Sequence, residues 1–307
     1  MAFEKSEPAG EEILRYSEKA QKPVSDTESK GAVMSDIRHN HGGKFERREI
    51  DLPTGPLSFF IGGNGPPYLH MHGAGGLRIS HSLQELTKTY QVFIPIIPGF
   101  DDMPFHEEVN SYLELADMFA DFWQAEIATP CPVSGHAMGG RLTIWYATLH
   151  GDKTQCAIIQ CPSGLRPDGQ VIMPFSQYQK GVMAHPEKVA DENRSQTVME
   201  ANRDAGYHYH APGKGVIDKT IFCDHDMVAR LGEITCPTLI LQGAIDAVLP
   251  PESVEFLASQ VAESRLVYLQ DAGHLIDMDQ PERWLRLIRE LITESWNFNP
   301  SPQTVGG

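Results

Sequence analysis

Val133-Ser134-Gly135-His136-Ala137-Met138-Gly139-Gly140 is the stretch on which the reading of this chain turns. A β-rich run, Cys131–Ser134, leads into it, and a helix-period run, Met138–Leu149, begins inside it. A strand that hands over to a helix so quickly needs a sharp, strained reversal, and crowding there asks for small residues two positions either side of its centre. Gly135 and Gly139 meet that demand around Ala137. Backbone strain of this kind costs about 1–3 kcal/mol and persists mostly at functional sites. The side chain of Ala137 is a bare methyl.

Outward from this turn, short β-rich runs alternate with helix-period runs from Phe45 onward, the pattern of a mostly parallel sheet covered by helices on both faces. Strands are predicted around Glu46–Leu52, Leu57–Ile61, Tyr68–Met71, Gln91–Pro95, Cys131–Ser134, Cys156–Gln160, Thr238–Gln242 and Arg265–Leu269. Helices are predicted over Ser82–Thr89, Ser111–Ile127, Met138–Leu149, Glu252–Val261 and Pro281–Ser295, with Pro281 at a helix start and Gly151 just past a helix end. The alternation breaks between residues 165 and 229, where polar and aromatic helix-like stretches intervene. The expected organisation is a polar N-terminal arm (1–45, with one helix near Glu11 to Gln21), an α/β core (46–164 and 230–296), an insertion (165–229) and a tail (297–307).

The chain has 307 residues, enough for one large domain, and carries 25 basic against 41 acidic residues for a net charge of −16. That balance opposes nucleic acid and anionic lipid as partners, both of which are held through Lys and Arg. No apolar run approaches the ~20 residues of a membrane span, and the N-terminus lacks the basic and apolar regions of a secretory signal. A cytoplasmic protein acting on a small molecule is expected. Cys131, Cys156, Cys161, Cys223 and Cys236 form no C-x-x-C pair and lie mostly in or beside apolar runs, as buried reduced thiols do. Cys161 falls near the end of a predicted strand, where open α/β sheets place their sites, yet reads as core rather than nucleophile.

Four landmarks recur in one order. His70-Met71-His72-Gly73-Ala74-Gly75-Gly76 follows the third strand, Pro98-Gly99-Phe100-Asp101 the fourth, and the quoted stretch the fifth. Last come Leu241-Gln242-Gly243-Ala244-Ile245-Asp246 and Asp271-Ala272-Gly273-His274. In this order they resemble the α/β-hydrolase superfamily, esterase- and lactonase-like: an H-G-x-G-G loop, a P-G-x-G loop, the nucleophile elbow G-x-S-x-G, a post-strand acid and a terminal histidine. Asp101 departs from the second glycine of P-G-x-G, and Ala137 stands where the elbow serine is expected. The resemblance implies an eight-stranded sheet with a helical cap formed by the insertion.

It also implies the roles. Attack on a carbonyl needs a nucleophile whose proton is taken by an imidazole, with a carboxylate fixing that imidazole's tautomer. His274 and Asp246 are the candidates, with Asp168 the runner-up acid, and the amides of Ala74 and Met138 would hold the oxyanion. Substrate contacts are expected from Gly73, His136, Met173, Phe175, Tyr178 and Tyr207, with Met183 and Tyr209 as further cap residues. A plain cap core accounts for these aromatic residues equally well. His136 more readily supports the turn than reacts. The alternating pairs His70/His72 and His208/His210 lack further ligands for a metal and read as structural or pocket residues. Ser134, within the strand, is a poor substitute nucleophile.

Removing a triad serine costs on the order of 10⁶ in kcat, roughly 8 kcal/mol, while binding can survive. The expectation is thus a cofactor-free and metal-free hydrolase of an ester, lactone or similar acyl bond in a small apolar molecule, disabled by Ala137. Two alternatives stay open: a retired fold that serves as a binding or receptor protein, and His–Asp base chemistry such as dioxygen insertion, cyanohydrin cleavage or C–C hydrolysis. A homodimer is conjectured, with the N-terminal arm as its candidate contact.

Overall fold

The computed structural model describes residues 44–101, 103–166, 182–189, 201–202, 205–209 and 223–295. The expected helix at Glu11–Gln21, residues 1–43 of the arm, the tail and Asp168, Met173, Phe175, Tyr178 and His210 lie outside them. Eight strands form one sheet: β1 (Phe45–Leu52), β2 (Gly55–Gly62), β3 (Pro67–Met71), β4 (Gln91–Pro95), β5 (Cys131–His136), β6 (Thr154–Gln160), β7 (Thr238–Gly243) and β8 (Ser264–Leu269). Their spatial order is β1-β2-β4-β3-β5-β6-β7-β8. β1, β2 and β4 pair antiparallel, and every later pairing is parallel.

The sequence dictates that arrangement. Strands buried on both faces read as continuous apolar runs, and Ile158 and Ile159 of β6 and Leu239, Ile240 and Leu241 of β7 are all fully buried. The edge strand β1 alternates instead, with charged Arg47, Arg48 and Glu49 between buried Phe45 and Leu52. Helices α1 (His81–Leu86) and α5 (Pro281–Ser295) pack on one face, and α2 (Tyr112–Glu126), α3 (Met138–Leu149) and α4 (Pro251–Gln260) on the other. α5 is the most amphipathic: Trp284, Leu285, Ile288, Leu291 and Ile292 fall at helical spacing on its buried stripe. Full burial of such side chains stabilises by about 1.5–3 kcal/mol each. α2 begins at Ser111, whose Oγ accepts from Glu114 N at 3.3 Å, while the Glu114 carboxylate accepts from Asn110 N at 2.6 Å.

The parallel order makes β3, β5, β6 and β7 neighbours, so their C-terminal ends meet along one edge, where open α/β sheets bind ligands. A cap insertion springs from there between β6 and β7. Its two ends meet where Leu165 bridges Cys223 antiparallel and Asp224 N donates to Gly164 O at 2.7 Å. A buried ion pair seals this neck: Arg141 of α3 holds Asp224 through Nε (2.9 Å) and Nη2 (2.6 Å), and Trp145 Nε1 donates to the same oxygen at 2.8 Å.

Candidate active site

Ala137 sits between β5 and α3 with φ 52° and ψ −107°, a conformation that L-residues with a Cβ rarely adopt. Its surroundings fix it there: its N–H donates to Gln160 O (2.9 Å), and its carbonyl accepts from Arg141 N and Ser163 N (both 3.0 Å). The glycines two positions away are sterically compelled. A Cβ at Gly135 would collide with the Gly139 carbonyl, and one at Gly139 with that of Met71. β3, β5 and α3 therefore close around a turn whose central side chain can only point outward. The first amides of α3, beginning at Met138, have no acceptor within the helix and sit at the positive end of its dipole.

The loop after β3 lies against this turn. A Cβ placed on Gly73 would sit 3.6 Å from Ala137 Cβ. Buried His72 sets the loop's orientation, because Ile97 N donates to its Nε2 (3.0 Å) and so leaves Nδ1–H to donate to Gly73 O (2.9 Å). Gly76 N adds a second bond to that carbonyl at 3.0 Å. A planar trans peptide directs the Ala74 N–H opposite to the carbonyl of Gly73, so fixing one aims the other. His70 is also structural, its Nδ1 sharing a 2.8 Å hydrogen bond with Ser134 Oγ inside the sheet. Burial, and then the nearby His72, hold its pKa down to about 3.

The acid and the histidine meet as well. His274 Nδ1–H donates to Asp246 Oδ2 at 2.9 Å, with the Asp246 side chain 0% exposed. The other oxygen accepts from Val248 N (2.7 Å) and Leu249 N (3.2 Å), and Gln242 Nε2 donates to Oδ2 at 3.2 Å. Burial pushes the Asp246 carboxyl up, but the His274 charge and hydrogen bond and the two amides outweigh it and hold the pKa below the ordinary aspartate range. His136 joins this pair to the turn: its Nε2–H donates to the His274 carbonyl at 3.0 Å, and the two rings meet edge to face at 4.6 Å. Burial first, and then the charge of His274, keep the His136 pKa well below the ordinary value, so it is a neutral prop.

Cys161, at φ 44° beyond β6, brings its Sγ within 4.8 Å of the Asp246 and His274 ligand atoms. These three could in principle hold a metal. The 2.9 Å His–Asp separation is a hydrogen bond, however, shorter than the roughly 3.3 Å between two ligands about 2.0 Å from a tetrahedral ion. Burial pushes the Cys161 thiol well up, the state of a packed thiol rather than a nucleophile.

Described residues of the insertion meet the site on several sides. Buried Asp279 accepts from Gly273 N (2.8 Å) on the histidine loop and from Ala184 N and His185 N (both 2.9 Å) on the insertion. Leu275 N also donates to Val182 O at 3.0 Å. On the opposite side, Tyr209 OH donates to Pro98 O (2.8 Å), which makes Tyr209 a cap anchor, and His208 bonds Asn110 Oδ1 (3.0 Å). Tyr207 is exposed and Met183 half-buried. Sequence reasoning missed the roles of Asp279, Asp101 and Asn202. Only Asp101 left a signal, an aspartate where glycine was expected, and it does adopt the left-handed φ of 47°.

Residues 68–287 match the alpha/beta hydrolase family, and the chain belongs to it. Among curated proteins, it is 25% identical over 268 residues to a pimeloyl-[acyl-carrier protein] methyl ester esterase of Neisseria meningitidis, covering 77% of this chain and 80% of the relative. A thermophilic esterase from Thermogutta terrifontis, solved with malate bound, is similar at 25% identity and TM-score 0.55, covering 81% of this chain and 99% of that one. A meta-cleavage product hydrolase from Pseudomonas fluorescens, solved as a serine-to-alanine mutant with acetates, shares the fold at 19% identity and TM-score 0.66, covering 81% and 98%. Family and neighbours point to hydrolase chemistry. Among the described residues no helix is long and apolar enough to cross a membrane.

Proposed function

We propose that this chain is a serine-type hydrolase of an ester, lactone or similar acyl bond in a small, largely apolar molecule, held inactive by Ala137 in the nucleophile's place. The observation that carries the reading is the turn at Ala137. Its backbone keeps a costly left-handed conformation although a methyl gains nothing from it, and a hydrogen-bonded His274–Asp246 pair is tethered beside it through His136. A retired site has no reason to keep both the strain and a buried polar pair, so a disabled catalyst accounts for them better than a binding protein does.

In the active form, a serine hydroxyl at position 137 attacks the acyl carbon while its proton passes to His274 Nε2. Asp246 stabilises the resulting imidazolium and holds its tautomer. The tetrahedral oxyanion lies between the amides of Ala74 and Met138, the leaving oxygen takes the proton from His274, and water repeats the sequence on the acyl-enzyme. With Ala137 the pocket binds but lacks the attacking oxygen. The methyl ester cleaved by the Neisseria relative supports the choice of an ester.

The test is Ala137→Ser assayed with p-nitrophenyl acetate and butyrate and with a fluorophosphonate probe. Hydrolysis should rise by several orders of magnitude, on the scale of about 10⁶ that separates serine from alanine in such triads. The probe should add covalently to position 137. An A137S chain that folds yet neither hydrolyses nor labels would sink the proposal, and activity lost in His274→Ala of the unaltered chain would favour base-only chemistry.

A further inference from the structure

Asn202 and Asp101 form a buried polar pair that the proposed chemistry does not use. Asn202, on the insertion, is 2% exposed and Asp101, on the loop after β4, 5%. Asn202 Nδ2 donates to Gly75 O and to Asp101 Oδ1, both at 3.1 Å, and its Oδ1 accepts from Asp101 N at 3.3 Å. The second Asp101 oxygen accepts from Leu77 N. The fit is closed: a Cβ at Gly76, itself at φ 81°, would strike the Asn202 amide and lie 2.8 Å from both Asp101 oxygens. Nearby, a Cβ at Gly206 of the insertion would approach the Ala74 methyl to 3.4 Å.

A buried amide with every polar atom engaged holds its partners in one geometry, because each alternative leaves a desolvated donor or acceptor unmatched. Here the partners are the carbonyl of Gly75 and, through Asp101, the amide of Leu77. His72 and Gly76 N fix the Gly73 carbonyl. The Gly75 carbonyl shares its peptide plane with Gly76 N–H, so the insertion, by holding the first, aims the second at the Gly73 carbonyl, whose own plane carries the Ala74 N–H.

We propose that Asn202, acting through Asp101 and the Gly75 carbonyl, is a positioning residue for the Ala74 oxyanion amide, so that seating of the insertion and alignment of that donor are one event. The proposal rests on the hydrolase reading above. It predicts that the insertion contributes to turnover as well as to substrate choice.

The experiment compares Asn202→Ala and the near-isosteric Asn202→Asp, which keeps the volume but loses both donated bonds. Hydrogen exchange is read on the unaltered Ala137 chain, and steady-state kinetics with p-nitrophenyl acetate in the A137S background. Both variants should speed amide exchange selectively in residues 73–77. They should lower kcat by about tenfold or more, short of the 10²–10³ of losing an oxyanion donor outright, with KM within about twofold. Unchanged exchange in residues 73–77 overturns the proposal, as does exchange raised uniformly along the chain or a KM rise with kcat intact. If A137S alone is inert, the hydrolase reading fails instead, and exchange alone decides whether Asn202 orders the loop.

Discussion

Replacing Asp246 by asparagine removes a charge while changing almost no volume, and the hydrogen bonds around it let the consequence be worked out. The carboxylate accepts four bonds: Val248 N and Leu249 N on one oxygen, Gln242 Nε2 and His274 Nδ1–H on the other. Asparagine has one acceptor oxygen, and the two backbone amides, which cannot rotate away, will claim it. Its Nδ2 then faces Gln242 and His274. Gln242 can adapt by flipping its amide, since its Oε1 is buried without a partner among the described residues, at the loss of the 3.4 Å bond that its Nε2 donates to Leu249 O. His274 can adapt only by moving its proton to Nε2, the nitrogen that must be free to accept one from the nucleophile.

The active A137S form should therefore lose on the order of 10⁴ in kcat on Asp246→Asn, the scale of such tautomer errors in serine triads, or roughly 5.5 kcal/mol of barrier. Stability should fall by about 1.5–3 kcal/mol for the lost charged hydrogen bond, offset in part because a charge no longer has to be buried. Kinetics with p-nitrophenyl acetate read the first effect and urea unfolding the second, while the downfield Nδ1–H proton resonance of His274 in the Ala137 chain reads the tautomer. An Asp246→Asn variant within tenfold of A137S, or one that keeps that resonance unshifted, would refute the reasoning.

Acid should destabilise the fold through its buried neutral histidines. The folded pKa values of His70 and His136 lie below the unfolded one, so as pH falls through about 6.5 the unfolded chain binds protons that the native one refuses. Each residue should then remove about 1.4 kcal/mol per pH unit. For His70 the loss runs down to about pH 3. Urea unfolding at pH 7, 6 and 5 should show a steeper decline for the unaltered chain than for His70→Gln, and parallel slopes would contradict this. Asp224→Ala should cost about 3–5 kcal/mol by leaving Arg141 buried without its carboxylate, lowering Tm by about 10 °C. A calorimetric shift of under 2 °C would show that the neck of the insertion does not need this pair.

Much of the molecule was legible from its sequence because the signals are local. Short β-rich runs place all eight strands within two residues of their observed ends, and α3 and α5 begin and end where their periodicity says. Gly135 and Gly139 announce the sharp turn at Ala137, since only a missing Cβ lets β5, β3 and α3 approach so closely. The order of loops after β3, β4, β5, β7 and β8 further identifies which residues can converge, because a parallel sheet gathers its C-terminal strand ends along one edge.

What the tertiary structure alone decided is how those loops are held. The tether from His136 to the His274 carbonyl spans 138 positions, and the bond from Asn202 to Gly75 spans 127. Asp279 joins a loop six residues away to an insertion more than ninety away. Such bonds leave no trace in periodicity or composition, since a buried Asn or Asp is written with the same letter as an exposed one. Its partners are chosen by where the chain returns in space, not by what stands beside it in sequence.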